Sequence, residues 1–204
     1  MKIALSMRVT EAAGYQERRD SISHDWLRML QSWEMIPLLM PNLASGLAEY
    51  LNSLSPDLIV LTGGDDIGDT PERDAAEFEL LDVAVQQSVP VLGVCRGMQM
   101  INARFGGTTE PVADHVACVH DVRIAEIWQG EYGPMASVNS YHNLAITPAT
   151  LGSGLEISAT AEDGGIEAFQ HAEMQLAGIM WHPERDGGPA GDRALVERMI
   201  ADGR

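Results

Sequence analysis

Short apolar runs alternate with amphipathic stretches through the first half of the chain, and the period of each stretch sets the element it predicts. Lys2 to Ser6 reads as a first strand, followed by a polar loop through Arg19. Ile22, Trp26, Leu27, Leu30 and Trp33 then recur at helical spacing, with Ser21 or Ser23 as the N-cap. Ile36 to Met40 is a short strand and Leu43 to Leu54 a second helix. Asp57 to Leu61 is a strand that ends on Thr62-Gly63-Gly64, and a third helix runs from about Glu72 to Gln87. Short buried strands alternating with helices of this length indicate parallel βαβ units.

The second half changes character. Val119 to Ile127, Ala136 to Asn139, Leu155 to Thr160, Ile166 to Gln170 and Leu176 to Trp181 read as short strands with turns between them, and Asp192 to Ala201 as a closing helix. The expected fold is α/β: a doubly wound, mostly parallel central sheet flanked by helices, with additional short antiparallel strands in the second half. No repeat, low-complexity stretch or linker-like composition break divides the chain, so residues 1–204 are expected to form a single domain. Ligands of such sheets gather beyond the carboxyl ends of the strands, and Gly63-Gly64 and Cys95 both fall there.

Cys95 carries the chemistry. In Val91-Leu-Gly-Val-Cys-Arg-Gly-Met-Gln99 it stands between Gly93 and Gly97, where an apolar strand runs into a helix predicted over Met98 to Arg104. A sharp strand-to-helix turn presents its central residue outward, and small flanking residues let the backbone double back. The start of a helix also offers unpaired N–H groups and the positive end of the dipole, which favour thiolate over thiol. A merely packed cysteine would not require both glycines.

A cysteine nucleophile needs a base and a group to orient that base. Gly178-Ile-Met-Trp-His-Pro-Glu184 is an apolar strand ending in His-x-Glu, and in extended chain His182 and Glu184 share a face. Of the other histidines, His24 lies in a helix, His115 and His120 flank Cys118, His142 lies in Val138-Asn-Ser-Tyr-His142, and His171 falls in a turn. Oxyanion donors would come from the Gly63-Gly64 turn and from the amide of Arg96. His115, Cys118 and His120 form an H-x2-C-x-H spacing but lack a recognisable fourth ligand, so they are read as a loop beside the site and no metal is expected. With no Gly-rich phosphate loop in the chain, no cofactor is expected either. The methionines are read as core filling.

Charge narrows the partners. Asp and Glu number 30 against 13 Lys and Arg, a formal net charge of −17. Such a surface argues against nucleic acid and against anionic membranes, while leaving room for one local basic pocket. Two cysteines make no disulfide framework, and the N-terminus reaches a charge too soon for a signal sequence. The expectation is a soluble, cytoplasmic protein.

The segments Leu61-Thr-Gly-Gly-Asp65, Val91 to Asn102, Val138-Asn-Ser-Tyr-His142 and Gly178 to Glu184, taken together and in order, resemble the class I glutamine amidotransferase-like hydrolases, within them the γ-glutamyl-γ-aminobutyrate hydrolase branch. The resemblance implies a Cys95, His182, Glu184 triad, an oxyanion hole from the Gly64 and Arg96 amides, and a grip on the glutamyl end by Gln99, Asn139, Ser140, Tyr141 and His142. Two departures stand out. The branch's insertion after the Gly-Gly turn is absent, which trims the pocket rim, and its His-His-Gln is replaced by His142-Asn143-Leu144. The compact length, Arg19-Asp20 and the ending Trp-His-Pro-Glu-Arg look more like a subgroup that includes hydrolases of γ-glutamyl-CDP-amidate, which serve surface-polysaccharide modification. The implied activity is hydrolysis of a small-molecule γ-glutamyl amide through a thioester, in a chain that is free to form a homo-oligomer. Two alternatives share the features: a glutaminase subunit feeding ammonia to a separate synthetase partner, and a non-catalytic binding module on the same fold.

Overall fold

The computed structural model describes residues 1–42 and 46–203. In chain order the strands are β1 (Lys2–Ser6), β2 (Arg8–Glu11), β3 (Arg18–Ser21), β4 (Ile36–Met40), β5 (Leu58–Leu61), β6 (Val91–Val94), β7 (Glu110–Pro111), β8 (Val116–Ile124), β9 (Met135–Tyr141), β10 (Leu144–Ala145), β11 (Leu155–Ala161), β12 (Ile166–His171) and β13 (Leu176–Ile179). The helices are α1 (His24–Ser32), α2 (Leu47–Leu54), α3 (Pro71–Gln87), α4 (Arg96–Arg104), α5 (Gln129–Tyr132) and α6 (Asp192–Asp202).

Among the described residues, nine strands form one sheet in the order β4-β1-β5-β6-β13-β12-β11-β8-β9. From β4 to β13 every pairing is parallel; from β13 to β9 every pairing is antiparallel. This is the doubly wound α/β sheet expected, with its antiparallel strands added along one side. The central strands Leu58–Leu61, Val91–Val94 and Leu176–Ile179 are buried throughout, as strands covered on both faces must be. Their alternation sorts the two layers. Ile3, Val60, Leu92 and Ile179 meet Trp26 and Leu30 of α1 and Leu195 and Val196 of α6. Leu61, Gly93 and Gly178, in register with one another, face Gly97 and Met98 of α4 on the other side.

Ser23 caps α1, its hydroxyl accepting from the Asp25 N–H at 3.2 Å. The segment expected to be a polar loop instead forms the hairpin β2–β3, with Arg8 opposite Ser21 and Glu11 opposite Arg18. That ribbon buries no apolar face, so no period-two hydrophobic signal announces it. The second helix begins at Leu47 rather than Leu43, and Leu43, Ala44 and Ser45 lie outside the described residues. The strand expected over Val119 to Ile127 runs from Val116 to Ile124; the chain then turns so that Trp128 is buried with its indole N–H on Gln170 at 2.8 Å. Among the described residues no helix is long and apolar enough to cross a membrane.

Candidate active site

Adjacent placement of β5, β6 and β13 brings three strand ends to one point of the sheet edge. At the end of β6, Cys95 adopts φ 53° and ψ −107°. A non-glycine residue there stores strain of about 1–3 kcal/mol, which surrounding contacts must hold. The Cys95 N–H donates to the Ile179 carbonyl of β13 at 2.8 Å, pinning the elbow from one side. The glycines explain the rest. A Cβ on Gly93 would run into the Gly97 carbonyl, and one on Gly97 would run into the Leu61 carbonyl of β5, so the helix enters closer to the sheet than any side chain permits.

Gly63 lies between Cys95 and His182. A Cβ built on Gly63 would stand 3.5 Å from the Cys95 Cβ and 2.7 Å from the His182 Cε1, so Cys95 and His182 both border Gly63. His182 Nδ1 lies 2.8 Å from Glu184 Oε1. A carboxylate only accepts, so Nδ1 carries the proton and Nε2 keeps its lone pair. The strand stops at Ile179, two residues earlier than expected, because Asn139 takes over the backbone that follows. Its Oδ1 accepts from the His182 N–H at 2.8 Å, and its amide donates to the carbonyls of His182 at 2.9 Å and Asp186 at 3.1 Å. Tyr141 sets its ring edge-on to His182, centroids 5.7 Å apart, while the Arg185 guanidinium lies 4.3 Å above the tyrosine ring.

Burial pushes the Cys95 thiol up to about 11. The Arg96 backbone N–H donates to the sulfur and lowers it, Glu184 raises it, and Arg185 and Arg8 lower it. The expectation that the helix start alone would favour thiolate therefore fails: with the residue only 6% exposed, desolvation outweighs the donor and the cations.

Beneath the Gly63-Gly64 turn lies a buried ionic scaffold that the sequence reading missed. Arg73 pairs with Glu77 at 2.9 Å and Asp65 at 2.8 Å, and it donates to the carbonyls of Thr62 at 2.7 Å and Gly63 at 3.1 Å. The Arg96 side chain pairs with Glu77 and Asp74. Its signal was the i, i+4 pair Arg73 and Glu77 at a helix start, which reads equally as a solvated face. Arg8, from β2, donates to the Gly63 carbonyl at 3.0 Å; burial lowers its affinity for a proton, with Arg73 and Arg185 adding to the effect. With two arginines holding the Gly63 carbonyl, the Gly64 N–H of the same trans peptide points the opposite way.

The remaining residues chosen from sequence are placed as follows. Gln99 is buried and donates to the Leu144 carbonyl at 3.4 Å. Ser140 is buried with its hydroxyl on the His115 carbonyl at 2.7 Å, and His142 is buried with Nδ1 donating to Leu144 at 2.9 Å. Of the segment from Asn139 to His142, Tyr141 alone is exposed. Cys118 donates to the Asp114 carbonyl at 3.3 Å, whereas His115 and His120 turn inward.

A nine-stranded α/β sheet with a cysteine on a strand-to-helix elbow and His-x-Glu beside it defines a class I glutamine amidotransferase-like protein. The family model for Peptidase C26 matches residues 3–184, and the chain belongs to that family. It is 28% identical to γ-glutamyl-CDP-amidate hydrolase of Campylobacter jejuni over 199 residues, 92% of each chain. It is 32% identical to anthranilate synthase component 2 of Azospirillum brasilense over 155 residues, covering 72% of this chain and 74% of that one. Among solved structures, the glutaminase domain of Trypanosoma brucei CTPS with bound acivicin shares the fold at TM-score 0.74 and 16% identity, over 98% of this chain and 94% of that one. A glutamine amidotransferase of Thermotoga maritima does so at TM-score 0.64 and 16% identity, over 90% and 76%.

Proposed function

We propose that this chain hydrolyses a γ-glutamyl amide through a thioester on Cys95. The observation that carries the reading is that Cys95 on its elbow and His182 both border Gly63, with Glu184 on Nδ1 of the histidine. As the sulfur attacks the γ-carbonyl carbon, its proton passes to His182 Nε2, so the buried thiol is never a free anion. The Gly64 and Arg96 N–H groups receive the developing oxyanion. His182 then gives the proton to the departing nitrogen as the C–N bond breaks. Water attacks the thioester, His182 takes its proton and returns it to sulfur, and glutamate leaves.

Arg8 and Arg185 act electrostatically on Cys95 in a chain that is otherwise strongly acidic. They support a leaving portion that carries negative charge. The Campylobacter relative is named for γ-glutamyl-CDP-amidate, whose diphosphate fits that chemistry; the carboxylate of γ-glutamyl-γ-aminobutyrate fits it as well. Turnover should be measured over γ-glutamyl amides with anionic and neutral leaving amines. Cys95→Ala should abolish it, and a variant with normal turnover removes the proposal. Arg185→Gln should raise KM for the anionic amides about tenfold or more and leave neutral ones nearly unchanged.

The likeness to anthranilate synthase component 2 favours one second reading, a glutaminase subunit that delivers ammonia to a synthetase. Glutamine hydrolysis that stays weak until a partner is added, with no turnover of γ-glutamyl amines, selects it over the hydrolase. A non-catalytic module would leave Cys95 unreactive toward a glutamine-mimicking electrophile.

A further inference from the structure

His115, His120, His142 and Glu167 each offer one ligating atom, and those four atoms lie within 4.8 Å of one another. They come from far apart in the chain: His115 precedes β8, His120 lies in it, His142 follows β9, and Glu167 lies in β12. His142 and Glu167 are buried and His115 nearly so.

Hydrogen bonds on the outer side of the cluster decide which nitrogens face inward as lone pairs. His142 Nδ1 lies 2.9 Å from the Leu144 carbonyl, which only accepts, so Nδ1 carries the hydrogen and Nε2 does not. His115 Nε2 lies 2.9 Å from Oδ2 of Asp163, whose other oxygen accepts from the Gly165 N–H at 2.9 Å, so in a neutral ring the hydrogen sits on Nε2 and Nδ1 is bare. His115 Nδ1 and His142 Nε2 nonetheless approach to 3.3 Å. Glu167 Oε1, a third acceptor, stands 3.5 Å from His142 Nε2 and 3.7 Å from His115 Nδ1. With both imidazoles neutral, three acceptors face one another with no hydrogen between them.

A single added proton would satisfy one of those contacts. It would leave His120, whose ring nitrogens are both buried with no hydrogen bond among the described residues, and Glu167 Oε2, likewise unpartnered among them, as they are. Those two groups face each other at 3.9 Å. A cation satisfies the whole set. Bonds of about 2.0–2.1 Å to a tetrahedral zinc ion put its ligands roughly 3.3–3.4 Å apart, close to the three shorter separations here. Ligating histidines also hold a carboxylate or a backbone carbonyl on the far ring nitrogen, the roles of Asp163 and Leu144.

We propose that His115, His120, His142 and Glu167 form a binding site for one zinc-like divalent cation. Imidazole and carboxylate donors suit zinc, and four protein ligands make the site structural rather than catalytic. The H-x2-C-x-H spacing therefore contributes its histidines without its cysteine, contrary to the expectation that no metal binds. The ion would tie β8, the turn after β9, and β12 together. It would also brace Leu144, whose carbonyl receives both His142 and Gln99.

The test is zinc titration of the whole chain after chelation, followed by calorimetry, metal analysis and melting temperature. One equivalent should bind and raise the melting temperature, and cobalt in place of zinc should give tetrahedral visible bands without thiolate charge transfer. Glu167→Gln and His120→Ala should abolish or greatly weaken binding. Asp163→Asn, at the half-exposed outer partner, should weaken it about 10–100-fold. Cys118→Ser and Cys95→Ala should bind as the parent does. No saturable zinc binding by the parent chain overturns the proposal, as does binding undiminished in Glu167→Gln or lost in Cys118→Ser. Should Glu167→Gln fail the circular dichroism check of its fold, the cobalt spectrum of the parent chain and the affinity of Asp163→Asn decide.

Discussion

The Cys95 thiol is raised because its burial costs an anion more than the Arg96 amide, Arg8 and Arg185 return to it. A pH-rate consequence follows. An acid raised to about 11 is protonated across the neutral range, so alkylation of Cys95 by a small neutral reagent should keep rising from pH 7 to pH 10. A plateau reached below pH 7 would show a preformed thiolate–imidazolium pair instead. Under the proposed chemistry Glu184 acts through the histidine, holding Nδ1–H and stabilising the imidazolium once the proton arrives. Glu184→Gln keeps an acceptor but removes the charge. Its kcat should fall about 100-fold or more, yet less than in Cys95→Ala. At this scale the sequence exposed Cys95, His182 and Glu184 as candidates because their neighbours are local: flanking glycines in one case, a two-residue step in the other. Asn139 was not legible in its observed contacts. Its side chain grips His182 from 43 positions away, and nothing near either residue announces the pairing.

Elements explain why the elbow tolerates its strain. Helix α4 is clamped between β5 and β13, with Gly97 against the Leu61 carbonyl and the Arg96 side chain in the ionic scaffold at the start of α3. On an open helix, alanine in place of glycine would stabilise by about 1 kcal/mol. Here the added methyl group meets backbone, so Gly97→Ala should lower stability by about 1–3 kcal/mol, read as a shifted urea midpoint at constant slope. A gain in stability would mean that the close approach is not a constraint. A second junction titrates. Asp192 of α6 accepts from Trp181 Nε1 at 2.9 Å and from the Tyr132 hydroxyl at 2.8 Å, and burial raises it from 3.8 to about 7. The folded state then binds more protons than the unfolded one between those values, so stability falls as pH climbs through that window. Asp192→Asn keeps both hydrogen bonds and should flatten the loss. Its advantage over the parent chain should be larger at pH 8 than at pH 5 in chemical denaturation, and equal differences at both would exclude a buried titrating carboxylate. Helices and parallel strands were readable because each presents an apolar face at its own period. The β2–β3 ribbon presents none, and the histidine cluster is assembled only by pairing β8 with β9 and seating β12 nearby.

On the scale of the whole molecule, the chain carries a surplus of 17 negative charges, yet Arg8 and Arg185 both act electrostatically on Cys95. The two fields differ in range. At about 20 Å in water, one unit pair contributes roughly 0.2 kcal/mol, so the surplus together repels each negative charge on an approaching substrate by about 3–4 kcal/mol when unscreened. A Debye length of about 10 Å at 0.1 M salt removes most of that, while the partly buried arginines, acting over a few ångströms, are screened far less. Under the proposed chemistry, kcat/KM for an anionic γ-glutamyl amide should therefore rise as salt goes from 10 to about 150 mM, with a neutral leaving amine giving a nearly flat profile. Arg185→Gln should lower the anionic rate at every salt concentration and keep the upward slope, because the slope belongs to the surface and the offset to the pocket. An anionic rate that falls with salt would mean that the local arginines dominate the long-range field, and identical profiles for both amides would remove charge from the account of specificity.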